Sequence, residues 1–211
     1  MTSPQIRTQQ DLVKVSLGFD EIARVKQVVS EGREYCERMS FGLILRLLDI
    51  QCGNREKGFI LDEIDFLEGV SPSTRTKEAS QFKRSPLRPF WHKHFSTPRH
   101  TFKNLGVRWG LDRGGNTDLS CMISGVASEH GHDPEKWPLV LADRLVFEGF
   151  VDRARHGLTG DWIIFAIHHG QNYYLDLATH EEGVDSYTLY EKLRDSAEAE
   201  FPFLFSFDPS R

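Results

Sequence analysis

The 211-residue sequence has no CxxC pair, no apolar run long enough to span a bilayer and no low-complexity tract. Its three cysteines, Cys36, Cys52 and Cys121, lie at wide, irregular spacing, which excludes a disulfide framework and a thioredoxin-like or zinc-binding pair and predicts reduced, buried thiols. The most apolar run, FGLILRLLDI, is broken by Arg46 and is about half the roughly 20 residues that a membrane helix needs. The segment MTSPQIRTQQDLVKV lacks the apolar centre of a secretory signal. These absences predict a soluble cytoplasmic protein with no membrane partner. Also missing are the GxxxxGK[ST] phosphate loop, the GxGxxG dinucleotide turn, the GxSxG nucleophile elbow and the HExxH zinc helix. A P-loop hydrolase, a Rossmann dehydrogenase, an α/β-hydrolase and a zincin are disfavoured accordingly, and no cofactor is called for.

What the sequence does have is an uneven distribution of charge. The net charge of −5 conceals a segment, residues 74 to 113, with ten Lys and Arg against Glu78 and Asp112. That segment is +8, which leaves −13 on the rest of the chain. A local cationic surface attracts a polyanion even when the whole molecule is acidic, unless its cations pair with the acidic remainder on folding.

Helical spacing of Ile22, Val25, Val28 and Val29 predicts a first helix over about residues 20 to 38, with Asp20 as its cap. SFGLILRLLDI and GFILDEIDFLEG suit a strand or a helix, and helix is favoured for both. Residues 71 to 90 carry three prolines among Ser, Thr and cations, so an exposed loop and the best internal boundary are expected there. Phe102, Leu105 and Trp109 share one helical face, and DRGGNTD ends that helix. Asp133 and Pro134 open a second helix that closes before Gly157, with Pro138 placing its continuous part further on. GDWIIFAIHHGQNYYLDLATH reads as a β-hairpin. An even loop would put Trp162, Ile164, Ala166 and His168 on one face with Tyr173, Leu175, Leu177 and Thr179, and Tyr174, Asp176 and His180 on the other. Asp185 or Ser186 caps a terminal amphipathic helix, and FPFLFSF folds back as an apolar tail. The architecture predicted is α+β in a single domain over 1–211: a helical N-terminal half, and a small antiparallel sheet centred on the 162–180 hairpin and flanked by helices. The loop at 71–90 divides it into a helical part, 1–70, and an α+β part, 91–211.

The chemistry concentrates in PFWHKHFSTPRHTFKN, residues 89 to 104. Arg88, Arg99, Lys103 and Arg108 are candidate phosphate contacts, and Trp91, with Phe90, Phe95 and Phe102, offers rings on which unpaired bases stack. His92 and His94 point the same way if they lie on a strand, but two imidazoles without a fixed third ligand make a weak metal signal, and no metal is assigned. Metal-independent cleavage of RNA needs a base for the 2′-hydroxyl, an acid for the leaving oxygen and a cation for the developing charge. His92 or His94 with His180 fits the first two roles and Lys93 or Arg99 the third, Tyr174 positions a base or proton, and Asp176 fixes the tautomer of His180. His168 is expected to be a core histidine. Asp176, between two leucines, needs a cation if buried, and the basic segment is the expected source.

The leading expectation is therefore a nucleic-acid-binding protein, directed at RNA ahead of DNA, with ribonuclease-like cleavage if it is an enzyme. Two alternatives carry the same charges: a non-enzymatic protein whose basic segment docks an acidic protein partner, and an enzyme acting on a small phosphorylated ligand. One observation discriminates: burial of Phe90, Trp91 and Phe95, with an acid facing each of Arg88, Lys93 and Arg99, removes the main support for nucleic-acid binding.

Overall fold

A computed structural model describes residues 18–53 and 56–206 of the chain. The amino-terminal segment considered above and the side chain of Cys52 lie outside the described residues. The expected α+β class is observed, with helices filling the N-terminal half and one antiparallel sheet following. Among the described residues no helix is long and apolar enough to cross a membrane.

Three helices open the fold: α1 (Phe19–Val29), α2 (Phe41–Gly53) and α3 (Glu56–Leu67). The first is shorter than its hydrophobic period suggested. Glu31 and Gly32 both take left-handed backbone angles and end it, and residues 34–38 resume as a separate 3-10 turn. Its start is closed by the Glu21 carboxylate, which accepts from the Gly18 N–H at 2.7 Å, in place of Asp20. Both ambiguous segments at 41–53 and 56–67 are helices, each turning an apolar face inward: Leu43, Ile44 and Leu47 of the first, and Ile60, Leu61 and Ile64 of the second, are buried.

The sheet contains β1 (Ser80–Gln81), β2 (Phe90–Phe95), β3 (Asp161–His168) and β4 (Gln171–Ala178), in that spatial order and antiparallel throughout. The loop predicted at 71–90 thus contributes a short edge strand, and the histidine stretch becomes an interior strand. Leu43, Ile44, Leu47, Ile60, Leu61 and Ile64 of α2 and α3 pack against Phe95, Ile163, Phe165 and Tyr174 on one sheet face. The other face carries Phe90, Ile164, Ala166 and Ala178. It is covered by α7 (Ser186–Ala197) through Leu189, Tyr190 and Leu193, and by Phe201, Leu204 and Phe205 of the apolar tail. Burial of each such leucine stabilises by about 1.5–3 kcal/mol. The α7 amino end is capped as expected, Asp185 Oδ1 accepting from the N–H groups of Tyr187 and Thr188, both at 3.1 Å.

Between β2 and β3 the chain runs through α4 (Thr101–Trp109), α5 (Thr117–His130) and α6 (Lys136–Arg155). Leu105 and Trp109 turn inward, whereas Phe102 is 84 % exposed and does not share their packing. Asp133 Oδ1 caps the turn into α6, accepting from the N–H groups of Glu135 and Lys136. Cys36 is buried, but Cys121 on α5 is exposed, which corrects the expectation of buried thiols.

The hairpin departs from the even pairing in one respect that matters. Ala166 faces Tyr173 and Phe165 faces Tyr174, but Ile164 then faces Asp176, so Leu175 is an extra residue in β4. One bulged residue reverses the alternation beyond it. Asp176 and Ala178 therefore lie opposite Ile164 and Trp162, and Leu177 opposite Ile163, the reverse of the even pairing. Ser40 holds the bulge in place, its N–H donating to the Tyr174 carbonyl and its hydroxyl to that of Leu175.

Candidate functional site

The bulge determines which histidines meet. His92 and His94 project from β2 on the α7 face of the sheet, opposite Ile164 and Trp162. The reversed alternation carries His180, just past β4, to the same place. Its ring centroid lies 5.3 Å from that of His94 and 4.6 Å from the Trp162 ring. His92 sits 5.8 Å from His94 and packs on Trp162 at 4.9 Å and Phe82 at 4.7 Å. Two glycines make this packing sterically feasible. A Cβ on Gly183 would stand 2.2 Å from the Trp162 ring, and one on Gly160 would stand 1.9 Å from the Phe95 carbonyl.

The imidazoles differ in their partners. His94 Nδ1 is 3.1 Å from the Gly160 carbonyl and 3.4 Å from the Gly160 N–H; the shorter contact favours the tautomer in which Nδ1 donates to the carbonyl and Nε2 is the basic nitrogen. His92 Nε2 is 3.2 Å from Ser80 Oγ, and its Nδ1 is buried with no partner. The Trp162 indole N–H is likewise buried and unpartnered. Burial pushes His92 and His94 down to about 4, His180 adding to the effect on both, whereas the Gly160 carbonyl opposes it at His94. His180 is also lowered, first by burial, then by Lys103, with Asp161 opposing. All three rings are thus held neutral near pH 7. Lys77 and Lys103, both exposed, make no ion pair among the described residues, although Lys103 is near enough to Asp161 to help lower its carboxyl.

Several residues expected here lie elsewhere. Lys93 is completely buried on the opposite sheet face, 3.1 Å from Glu63 Oε2, with Nζ donating to Thr76 Oγ1 and the Lys77 carbonyl. It cannot reach a phosphate beside His94. Tyr174 is also on that opposite face, its hydroxyl donating to Glu68 at 2.6 Å, and burial with that carboxylate pushes the phenol's pKa up. Asp176 does not orient His180. It accepts from Ser196 Oγ at 2.7 Å and the Leu177 N–H, and its ion-pair partner is Arg46 of α2 at 3.3 Å rather than a cation of the basic segment. His168 is half-buried on Phe203.

The basic segment divides. Arg99 pairs with Asp161 at 2.6 Å and approaches Glu56 at 3.7 Å; Arg108 lies over the Trp109 ring and between Asp152 and Asp118. Trp91 packs against Phe165 in the helix-covered face, and Phe90 and Phe95 are core residues, so none of these three rings is an open stacking platform. Six cations, Arg75, Lys77, Lys83, Arg84, Arg88 and Lys103, have no acidic partner among the described residues. Of the discriminating set, Lys93 and Arg99 face acids and Arg88 does not. Trp162, Phe82, Ser80 and Lys77 were missed as site residues, because nothing in sequence spacing brings positions 77–82 beside 162 and 180.

Among the described residues, no group of three or more His, Cys, Asp or Glu side chains is arranged to hold a metal ion. No protein-family model, curated protein or solved structure matches the chain.

Proposed function

We propose that the protein binds single-stranded RNA along the β1–β2 edge of its sheet and cleaves it, without a metal, at the His92–His94–His180 cluster. The observation that carries this reading is the convergence of three neutral imidazoles, two from β2 and one from just past β4, beside two lysines that make no ion pair among the described residues. Unspent polar capacity at His92 Nδ1 and Trp162 Nε1 supports it, since a bound ligand can supply the partners that these buried groups lack. Lys83, Arg84 and Arg88 lie on the loop joining β1 to β2, and His94 is four residues along β2 from Phe90. Phosphates can therefore be held over a span of roughly 14 Å.

In the proposed step, His94 Nε2 takes the proton of a 2′-hydroxyl as the 2′-oxygen attacks the adjacent phosphorus. The P–O5′ bond breaks, His180 in its protonated form gives its proton to the leaving 5′-oxygen, and a 2′,3′-cyclic phosphate remains. Lys77 and Lys103 stabilise the negative charge that develops on phosphorus-bound oxygens. Because both imidazoles have lowered pKa values, the protonated acid is scarce at neutral pH, and the rate optimum falls on the acid side of neutrality.

The test is anisotropy of a fluorescent single-stranded RNA across a salt series in EDTA, with the RNA recovered for length analysis. Log affinity is expected to fall steeply with log salt, by about 0.7 per phosphate neutralised, and Lys77→Ala and Lys103→Ala should each make that fall shallower. His94→Ala and His180→Ala should leave binding and abolish cleavage. Absence of binding at low salt rejects the reading and leaves an acidic protein partner for the free cations. Binding with uncut RNA rejects the catalytic half alone.

A further inference from the structure

On the reverse side of the sheet from the imidazoles lies a cavity of about 670 Å³, between α3, the 71–76 loop, the start of α4 and α6. That volume is within the roughly 300–1,000 Å³ of sites that enclose small molecules. Its lining combines the phenyl rings of Phe59 and Phe150 with hydroxyls such as those of Ser73 and Thr101, and with two side chains whose bonding is incomplete, Glu63 and Arg75.

Glu63 is 7 % exposed and is an unusual residue to find in a cavity wall. Its Oε2 is saturated: the Thr74 and Thr76 hydroxyls donate to it and the buried Lys93 ammonium stands 3.1 Å away. No donor among the described residues reaches Oε1. Glu63 lines the cavity, so a donor that enters there can bond to Oε1. Arg75, in contrast, is exposed and has no acidic partner among the described residues. The site therefore offers an acceptor for hydroxyl or amine hydrogens, phenyl surface for a flat ring, and a guanidinium for an anion.

We infer that this cavity binds a nucleoside monophosphate, the base against the phenyl rings, a sugar hydroxyl or base amine donating to Glu63 Oε1, and the phosphate on Arg75. Rings, donor and anion occur together in that class of molecule. Asp62, exposed in the same lining, disfavours the added negative charge of a di- or triphosphate. The inference is independent of the RNA site, since the two share no side chain and open on opposite faces of the sheet.

The experiment is isothermal titration of the full chain with AMP, GMP, CMP and UMP, with inorganic phosphate, free nucleosides and free amino acids as controls. At least one monophosphate is expected to bind saturably. Arg75→Ala should weaken it about tenfold or more without changing the affinity of the corresponding nucleoside, and Phe59→Ala should weaken both. Both residues are exposed enough for the fold to survive substitution. No saturable signal up to about 1 mM monophosphate overturns the inference. So does binding of phosphate or amino acids alone, or monophosphate binding that Arg75→Ala leaves unchanged.

Discussion

Mild acid should destabilise this fold well above the pH at which its carboxylates protonate, and the cause is the pair of neutral imidazoles on β2. His92 and His94 are pushed from 6.5 down to about 4 in the folded chain. The unfolded chain therefore takes up protons first as pH falls, so stability is full above about pH 7 and is lost progressively between 6.5 and 4. At about pH 5 the unfolded form of each histidine lies about 1.5 units below its pKa, which corresponds to about 2 kcal/mol per ring, or about 4 for the pair. Both rings retain some contact with solvent, and allowance for screening halves this to about 2 kcal/mol. His180, lowered as well, acts in the same direction. The depressed carboxylates, Glu68 and Asp161 among them, lose their contribution as pH falls through their ordinary values of 4.5 and 3.8, at the bottom of this window, and so add little at about pH 5. Urea unfolding at about pH 7.5 and about pH 5 measures the loss, and NMR of the imidazole C2 protons gives the individual midpoints. His94→Gln should remove close to half of the pH dependence, whatever it does to absolute stability. Midpoints near 6.5 for both rings, or a pH dependence identical in His94→Gln, would refute the burial argument.

Two further outcomes follow from groups on the opposite face. Lys93→Met leaves Glu63 buried without its cation and should cost about 3–5 kcal/mol in urea unfolding, with much of that recovered in the Lys93→Met/Glu63→Gln double variant; equal losses in both would show that the ion pair is not what matters. Tyr174→Phe removes one donor to Glu68, which keeps Arg38 and Asn172, so a loss of about 1–2 kcal/mol is expected with RNA anisotropy unchanged, and altered RNA binding would contradict its placement away from the imidazoles.

Local signals carried much of the architecture. Caps are short-range bonds between a side chain and its own turn, which is why Asp133 and Asp185 mark helix starts correctly from the sequence. The hairpin was legible for the same reason: His169 and Gly170 take the two positive φ angles that a tight turn between β-branched runs demands. Where two signals compete, locality failed. The pattern around residue 30 continues a helix that Glu31 and Gly32 end, and WHKHF alternates without revealing that it pairs with strands on both sides.

The α+β class and the cationic, histidine-bearing middle were legible without coordinates, because composition, caps and periodicity are properties of neighbours in the chain. Only the tertiary structure decided where the side chains of that middle lie. Whether Lys93 is a free cation or the buried partner of Glu63 depends on a helix thirty residues upstream. Which face His180 joins depends on Leu175, one residue inserted into a ladder whose side chains alternate with a period of two, so that a single extra position reverses everything beyond it.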